Sequence, residues 1–187
     1  MKSIYADNSS TSFPKAPTVA QAMYDYISYN GASVHRSSNE DAYQVERLIL
    51  ETRQQLQQLL GGPSPKYIIF TPNVTTSLNM VLQGLFSAGD HFLISSLEHN
   101  AVMRPLHQLS MKGVSYSTIP STPQGEMITS TLESLLLPTT KAILVTHVSN
   151  VCGTIQPIAE LGAFCREHNL LCIVDAAQSA GILPIHM

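Results

Sequence analysis

Asp175 directly follows the apolar run Leu170-Leu171-Cys172-Ile173-Val174 and precedes Ala176-Ala177-Gln178. A carboxylate ending a buried strand is costly unless a positive partner or hydrogen-bond donors meet it. The residues leave two readings open: a counter-ion for a cationic ligand, or a strand-end acid that caps a neighbouring loop. Three other clusters sit in comparable places. Thr146-His147-Val148-Ser149-Asn150 follows Ala142-Ile143-Leu144-Val145, Glu98-His99-Asn100-Ala101 follows a second apolar run, and Phe70-Thr71-Pro72-Asn73-Val74-Thr75-Thr76 leads into a helical pattern. In an open parallel sheet, ligands bind beyond the carboxyl ends of the strands, where helix N-termini also point. All four clusters are predicted at that edge. The threonine-rich turn suits an anion held by free backbone N–H groups, and it also suits a plain helix cap.

The elements that would position these residues read as an alternation of helices and short apolar strands. Val45, Leu48, Ile49, Thr52, Leu56, Leu59 and Leu60 recur at three- and four-residue spacing. With Ser38-Asn39-Glu40-Asp41 as a capping box and Gly61-Gly62 as a stop, they predict a helix over 42–60. Strands are expected over 67–71, 92–96, 114–119, 141–146 and 170–175, with helices starting near Thr75, Asn100 and Pro157. Several strands are apolar without alternation, as when helices cover both faces of a parallel sheet. The fold class is therefore α/β, a mostly parallel sheet flanked by helices with right-handed crossovers. Residues 8–17 read as an extended arm and residues 120–124 as a surface loop.

Composition narrows the function classes. The chain has 187 residues, 44% hydrophobic and 12% charged, with net charge −3. That is enough for a sizeable core, and it offers no basic stripe for nucleic acid or anionic membrane. The apolar runs are strand-sized, and the opening residues carry no apolar signal core, so a cytoplasmic location is expected. Cys152, Cys165 and Cys172 lack C-x-x-C spacing and read as reduced thiols, with no metal site expected. His107, His147 and His168 read as ordinary surface or core residues.

The combination of Asp175-Ala176-Ala177-Gln178, Ser149-Asn150-Val151-Cys152-Gly153 and Glu98-His99-Asn100-Ala101 resembles the pyridoxal-phosphate site of class V aminotransferases, in particular cysteine desulfurases. The resemblance runs through nearly the whole chain and implies the N-terminal part of a fold-type I PLP-dependent transferase large domain. It implies that Asp175 holds the pyridine nitrogen, that Ala177 packs under one ring face and that His99 stacks on the other, with an acid/base role open to it. Asn150 and Gln178 would approach the phenolic oxygen, and Thr75 with the backbone N–H of Val74 would hold the phosphate. Asn73 and Thr76 depart from the family's glycine and glutamate; asparagine tolerates a left-handed turn there. Tyr5-Ala6-Asp7-Asn8-Ser9-Ser10-Thr11 is similar to the family's N-terminal arm. Residues 31–36 are similar to a substrate-contacting segment, and a polar loop before the helix is an equal reading.

The resemblance further implies pyridoxal 5′-phosphate as cofactor and conversion of L-cysteine to L-alanine plus persulfide sulfur. A homodimeric intact protein and a sulfur-acceptor protein go with it. A class V aminotransferase or lyase acting on another small amino acid shares every residue named, and a non-catalytic interaction protein of the same fold stands as the rival from another class. The family's Schiff-base lysine lies downstream of the aspartate. None of Lys2, Lys15, Lys66, Lys112 and Lys141 is placed to replace it; Lys66 and Lys141 are expected just before strands, at the far sheet edge. The expectation is a truncated chain: an arm over 1–17 and an incomplete large domain over 18–187. Cys152 is expected to be a small buried cysteine without a chemical role.

Overall fold

The computed structural model describes residues 4–30, 32–34 and 39–187. Gly31, His35 and Arg36 of the segment 31–36, and Ser38 of the expected capping box, lie outside the described residues. Two compact units are present, Met1–Ile69 with Pro184–Met187, and Phe70–Leu183.

The first unit carries helix α1 (Pro17–Tyr29) and helix α2 (Glu40–Leu60). α2 starts where Asn39 accepts a hydrogen bond from the Ala42 N–H at 3.0 Å. It stops at Gly61, whose φ of 66° is the left-handed conformation that favours glycine at a helix end. The Met187 N–H donates to the last helical carbonyl, that of Leu60, at 3.0 Å. α1 was not expected. Its signals were Pro17 at the start and Val19, Met23 and Ile27 at four-residue spacing, but it buries none of its residues, so packing gave no apolar stripe to read.

The strand expected over 67–71 does not form: Pro65–Tyr67 is a 3₁₀ turn, and none of the described strands pairs with the residues after it. Ile69 and Phe70 are 67% and 48% exposed. Apolar, β-prone residues become a strand only when a ladder partner takes their backbone groups.

The second unit holds the parallel sheet. Strands β1 (His91–Ser95), β2 (Ser115–Ile119), β3 (Thr140–Thr146) and β4 (Leu171–Asp175) lie in the order β2-β1-β3-β4, all parallel. The connections carry helices α4 (Asn100–Ser110), α5 (Leu132–Leu135) and α6 (Ile158–Glu167), and helix α3 (Val74–Leu85) precedes β1. Each strand sends alternate side chains to opposite faces. Phe92, Ile94, Ala142 and Leu144 meet Leu78 and Leu82 of α3 and Val102 and Leu106 of α4. Leu93, Ile143 and Val145 meet Leu132 of α5 and Leu161 and Cys165 of α6. This double burial explains why β1 and β3 read as unbroken apolar runs, and each fully buried Leu, Ile, Val or Phe among them contributes about 1.5–3 kcal/mol. β4 is equally apolar in sequence but leaves Leu171 and Cys172 exposed. Among the described residues, no helix is long and apolar enough to cross a membrane.

Ile143 is fully buried between β1, β4 and α6. Ile143→Ala is expected to cost about 2–5 kcal/mol of stability. A urea unfolding curve of the full chain checks this; a loss below about 1 kcal/mol would contradict the packing described.

Candidate functional site

Register decides what meets at the carboxyl edge. Ile94 pairs with Leu144, Val145 with Val174, and Thr146 with Asp175, so β1, β3 and β4 end side by side. Asp175 is 5% exposed. One carboxylate oxygen, Oδ1, accepts the Ala177 N–H at 3.0 Å, and its backbone carbonyl accepts the His147 N–H at 2.9 Å. The His147 ring, whose pKa burial lowers, shares a hydrogen bond of 2.9 Å between Nδ1 and Ser179 Oγ. That latch joins the loops after β3 and β4. His147 is thus a buried structural residue.

Glu98 ties the same edge together. Ser95 Oγ donates to Glu98 Oε1. The Thr146 N–H donates to Oε1 and the Thr146 hydroxyl to Oε2, each at 2.8 Å. Burial, and then the nearby charge of Asp175, push the Glu98 carboxyl up from its usual range, while the hydrogen bonds from Ser95 and Thr146 pull the other way. Sequence reasoning used Glu98 only as a neighbour of His99. The available signal was polar Ser95 and Thr146 at the ends of two buried strands, each needing a partner.

Thr75 and His99 come together around one cavity of about 430 Å³, lined also by Asn79, Asn100, Ala101, Arg104, Pro105 and Gln108. It opens where α3 and α4 begin. Asn73 caps α3, its side chain accepting the Thr76 N–H at 2.8 Å. Its φ of −168° is ordinary extended backbone, so the left-handed turn considered for Asn73 is absent. Val74 and Thr75 are the first two helical residues, whose N–H groups have no carbonyl within the helix to bind. The Thr75 hydroxyl makes no hydrogen bond among the described residues. His99 caps α4: its Nδ1 accepts the Ala101 N–H at 3.1 Å, which places the ring proton of the neutral form on Nε2.

Val74, Asn150, Asp175, Ala177 and Gln178 do not line that cavity. Val74 adjoins it in α3. Asn150 is exposed in the turn after β3, Ala177 is exposed and Gln178 half-buried in the turn after β4. Cys152, expected to be buried, is exposed in the same turn as Asn150. Hydrogen bonds from Ser149 and Thr154 lower its thiol to about 7. Its Sγ lies 3.1 Å from Thr154 Oγ1. Cys165 and Cys172 interact with each other, which pushes Cys165 up and Cys172 down.

Lys141 is the second residue of β3, five residues before the carboxyl end, about 16 Å away at strand rise. Lys112 lies in the turn after α4, at the opposite edge. Neither side chain spans that distance. Lys66 lies in the 3₁₀ turn of the first unit, where no strand follows.

The donor set fits a phosphorylated cationic heterocycle. Asp175 is a buried carboxylate with no cationic side chain paired to it among the described residues. Two free helix N–H groups and an unengaged hydroxyl stand ready for an anion. Among the described residues, no group of three His, Cys, Asp or Glu could hold a metal.

The model of the Aminotransferase class-V family matches residues 4–187. The chain is 34% identical over 188 residues to the "Cysteine desulfurase IscS" of Vibrio campbellii, covering 97% of this chain and 46% of that protein. Among solved structures it is similar to the apo cysteine desulfurase of Thermococcus onnurineus, with a TM-score of 0.87 at 30% identity over 96% of this chain and 45% of that one. It is also similar to SspA in complex with cysteine, with a TM-score of 0.89 at 28% identity over 97% of this chain and 53% of that one. The chain therefore belongs to the class V aminotransferase family, whose fold is the fold-type I architecture of the PLP-dependent cysteine desulfurases. It spans about half the length of the curated relatives it matches, 46% of the first.

The lowered thiol gives Cys152 a nucleophilic thiolate at neutral pH. Alkylation by iodoacetamide, followed by peptide mapping, is expected to modify Cys152 with a rate that rises through pH of about 7. Thr154→Val is expected to move that midpoint upward; an unchanged midpoint would contradict the assigned cause.

Proposed function

We propose that this chain forms the pyridoxal-phosphate-binding part of a cysteine desulfurase, which converts L-cysteine to L-alanine and passes the sulfur to a thiol as a persulfide. The observation that carries the reading is Asp175, a buried carboxylate with no cationic partner among the described residues, at the carboxyl edge of a parallel sheet. Support also comes from relatives named cysteine desulfurase and from the cysteine complex of SspA. A cytoplasmic homodimer that hands sulfur to an acceptor protein goes with it. So does the division into an arm over 1–17 and a cofactor domain over 18–187.

Bound at this site, pyridoxal phosphate supplies an electron sink for cleavage at the substrate's carbon atoms. The residues of the chain do the rest. Asp175 holds the proton on the ring nitrogen. Thr75 Oγ1 and the N–H groups of Val74 and Thr75 hold the phosphate. His99, its Nδ1 committed to Ala101, offers a ring face and an Nε2 proton, and Ala177 presents a small methyl to the opposite face. Asn150 and Gln178 supply amide donors for the phenolic oxygen. Because Lys112 and Lys141 stand at the far edge, the second unit captures the cofactor through hydrogen bonds and charge.

Binding of pyridoxal phosphate to the full chain, measured by calorimetry, tests the reading. Asp175→Asn is expected to weaken it about tenfold or more, and Thr75→Val about fivefold. Borohydride treatment is expected to leave Lys112 and Lys141 unlabelled. Equal affinity in wild type and Asp175→Asn would make Asp175 a loop cap and remove the main support.

A further inference from the structure

Glu98 is joined to three parts of the edge at once. Through Ser95 it holds the end of β1, and through both donors of Thr146 the end of β3. Thr146 is the ladder partner of Asp175, and Glu98 is bonded in sequence to His99. A glutamine could make the same three contacts, because the Thr146 hydroxyl can accept from an amide N–H as readily as it donates to a carboxylate. Hydrogen bonding alone therefore does not require the acid. The acid has a cost, since a second carboxylate stands beside Asp175 and neither has an ion-pair partner among the described residues. The charge matters only if a cation is to be held between strand ends that carry no cation of their own.

We propose that Glu98 is a positioning residue of the cofactor site that acts through Asp175. Its hydrogen bonds fix Ser95 and Thr146, and with them the turn that leads into His99, and its charge beside Asp175 raises the site's preference for a protonated ring nitrogen over a neutral ring. The proposal rests on the cofactor reading above and goes beyond it by giving the ring-nitrogen site two carboxylates in place of one.

Among the described residues, the groups that face Glu98 are few. Asp175 of β4 is the titratable one; Ser95 of β1 and Thr146 of β3 do not titrate in the accessible range, and His99 has its Nδ1 committed to Ala101. Burial and Asp175 place the folded carboxyl above its unfolded value. Ionised Glu98 therefore costs stability, in full above the folded pKa, and the cost disappears as pH falls through it.

The test compares the full chain with Glu98→Gln, Glu98→Ala and Asp175→Asn. Without ligand, the melting temperature of wild type relative to Glu98→Gln is expected to rise as pH falls from about 7 to about 5. Glu98→Ala is expected to melt lower than Glu98→Gln at both pH values, because the glutamine retains the clasp. For binding, the probes are pyridoxal phosphate and its 1-deaza analogue, in which C–H replaces the ring nitrogen. Wild type is expected to prefer pyridoxal phosphate, and Glu98→Gln to lose about fivefold to tenfold of that preference. A wild-type preference retained in Glu98→Gln, or a melting difference that does not move with pH, would overturn the role of Glu98. Failure of wild type to bind either probe would instead refute the cofactor reading. Loss of folding in Glu98→Ala leaves the test intact, because Glu98→Gln carries both readouts.

Discussion

The pairing of Thr146 with Asp175 at the end of the β3–β4 ladder is the contact on which the site depends. A parallel register brings consecutive strand ends to one edge, and side chains there sit at the boundary between a dry core and the loops. Asp175 lies on the dry side of that boundary. Its backbone is fixed by the ladder and by the His147 N–H, and its side chain by the Ala177 N–H. These bonds satisfy part of the carboxylate without neutralising it. The fold thus carries a directed negative charge, and Ile143, Leu144 and Val145 immediately before Thr146 provide the burial that holds it there.

The two ends of the proposed cofactor require opposite electrostatics, and the α/β unit supplies both from the same construction. Strand ends provide carboxylates, Asp175 and Glu98. Helix starts provide unpaired N–H groups, at Val74 and Thr75. α3 follows none of the described strands; its positive start reaches the acids' edge through the cavity that Thr75 shares with His99, the sequence neighbour of Glu98. The loops add what the regular elements cannot. Gln156, fully buried, accepts the Met127 N–H at 3.0 Å and donates to the Gly125 carbonyl at 2.8 Å, pinning the turn that follows β2. Gly125 there has φ of 85°, and a side chain on it would meet Cys152, Leu97 and Thr154 within 3.3 Å.

Much of this was legible in the sequence because parallel strands buried on both faces leave unbroken apolar runs. β1, β3 and β4 were each expected within one residue of where they lie, and α2 was marked by its caps as well as its period. The failures have physical causes. Residues 67–71 have the composition of a strand, but pairing is a nonlocal property that composition does not carry. α1 hides no face, so periodicity was faint. Asparagine suits a left-handed turn and a helix cap alike, and Asn73 takes the second use, its side chain capping α3. Small cysteines usually end in cores, and the exposure of Cys152 follows from the geometry of its turn, which the sequence does not carry. The role of Glu98 does not show in the sequence because Thr146, which gives it two of its three hydrogen bonds, is 48 residues away in β3. Single residues suggested the chemistry of the edge; only the register showed which of them are neighbours.

In the proposed complex Asp175 presents its charge to a protonated ring nitrogen. Nitrogen-15 NMR of pyridoxal phosphate labelled at the ring nitrogen and bound to the full chain at neutral pH tests this directly. A pyridinium chemical shift is expected in wild type, moving toward the neutral-pyridine value in Asp175→Asn. A neutral-pyridine shift in the wild-type complex, unchanged by Asp175→Asn, would contradict it.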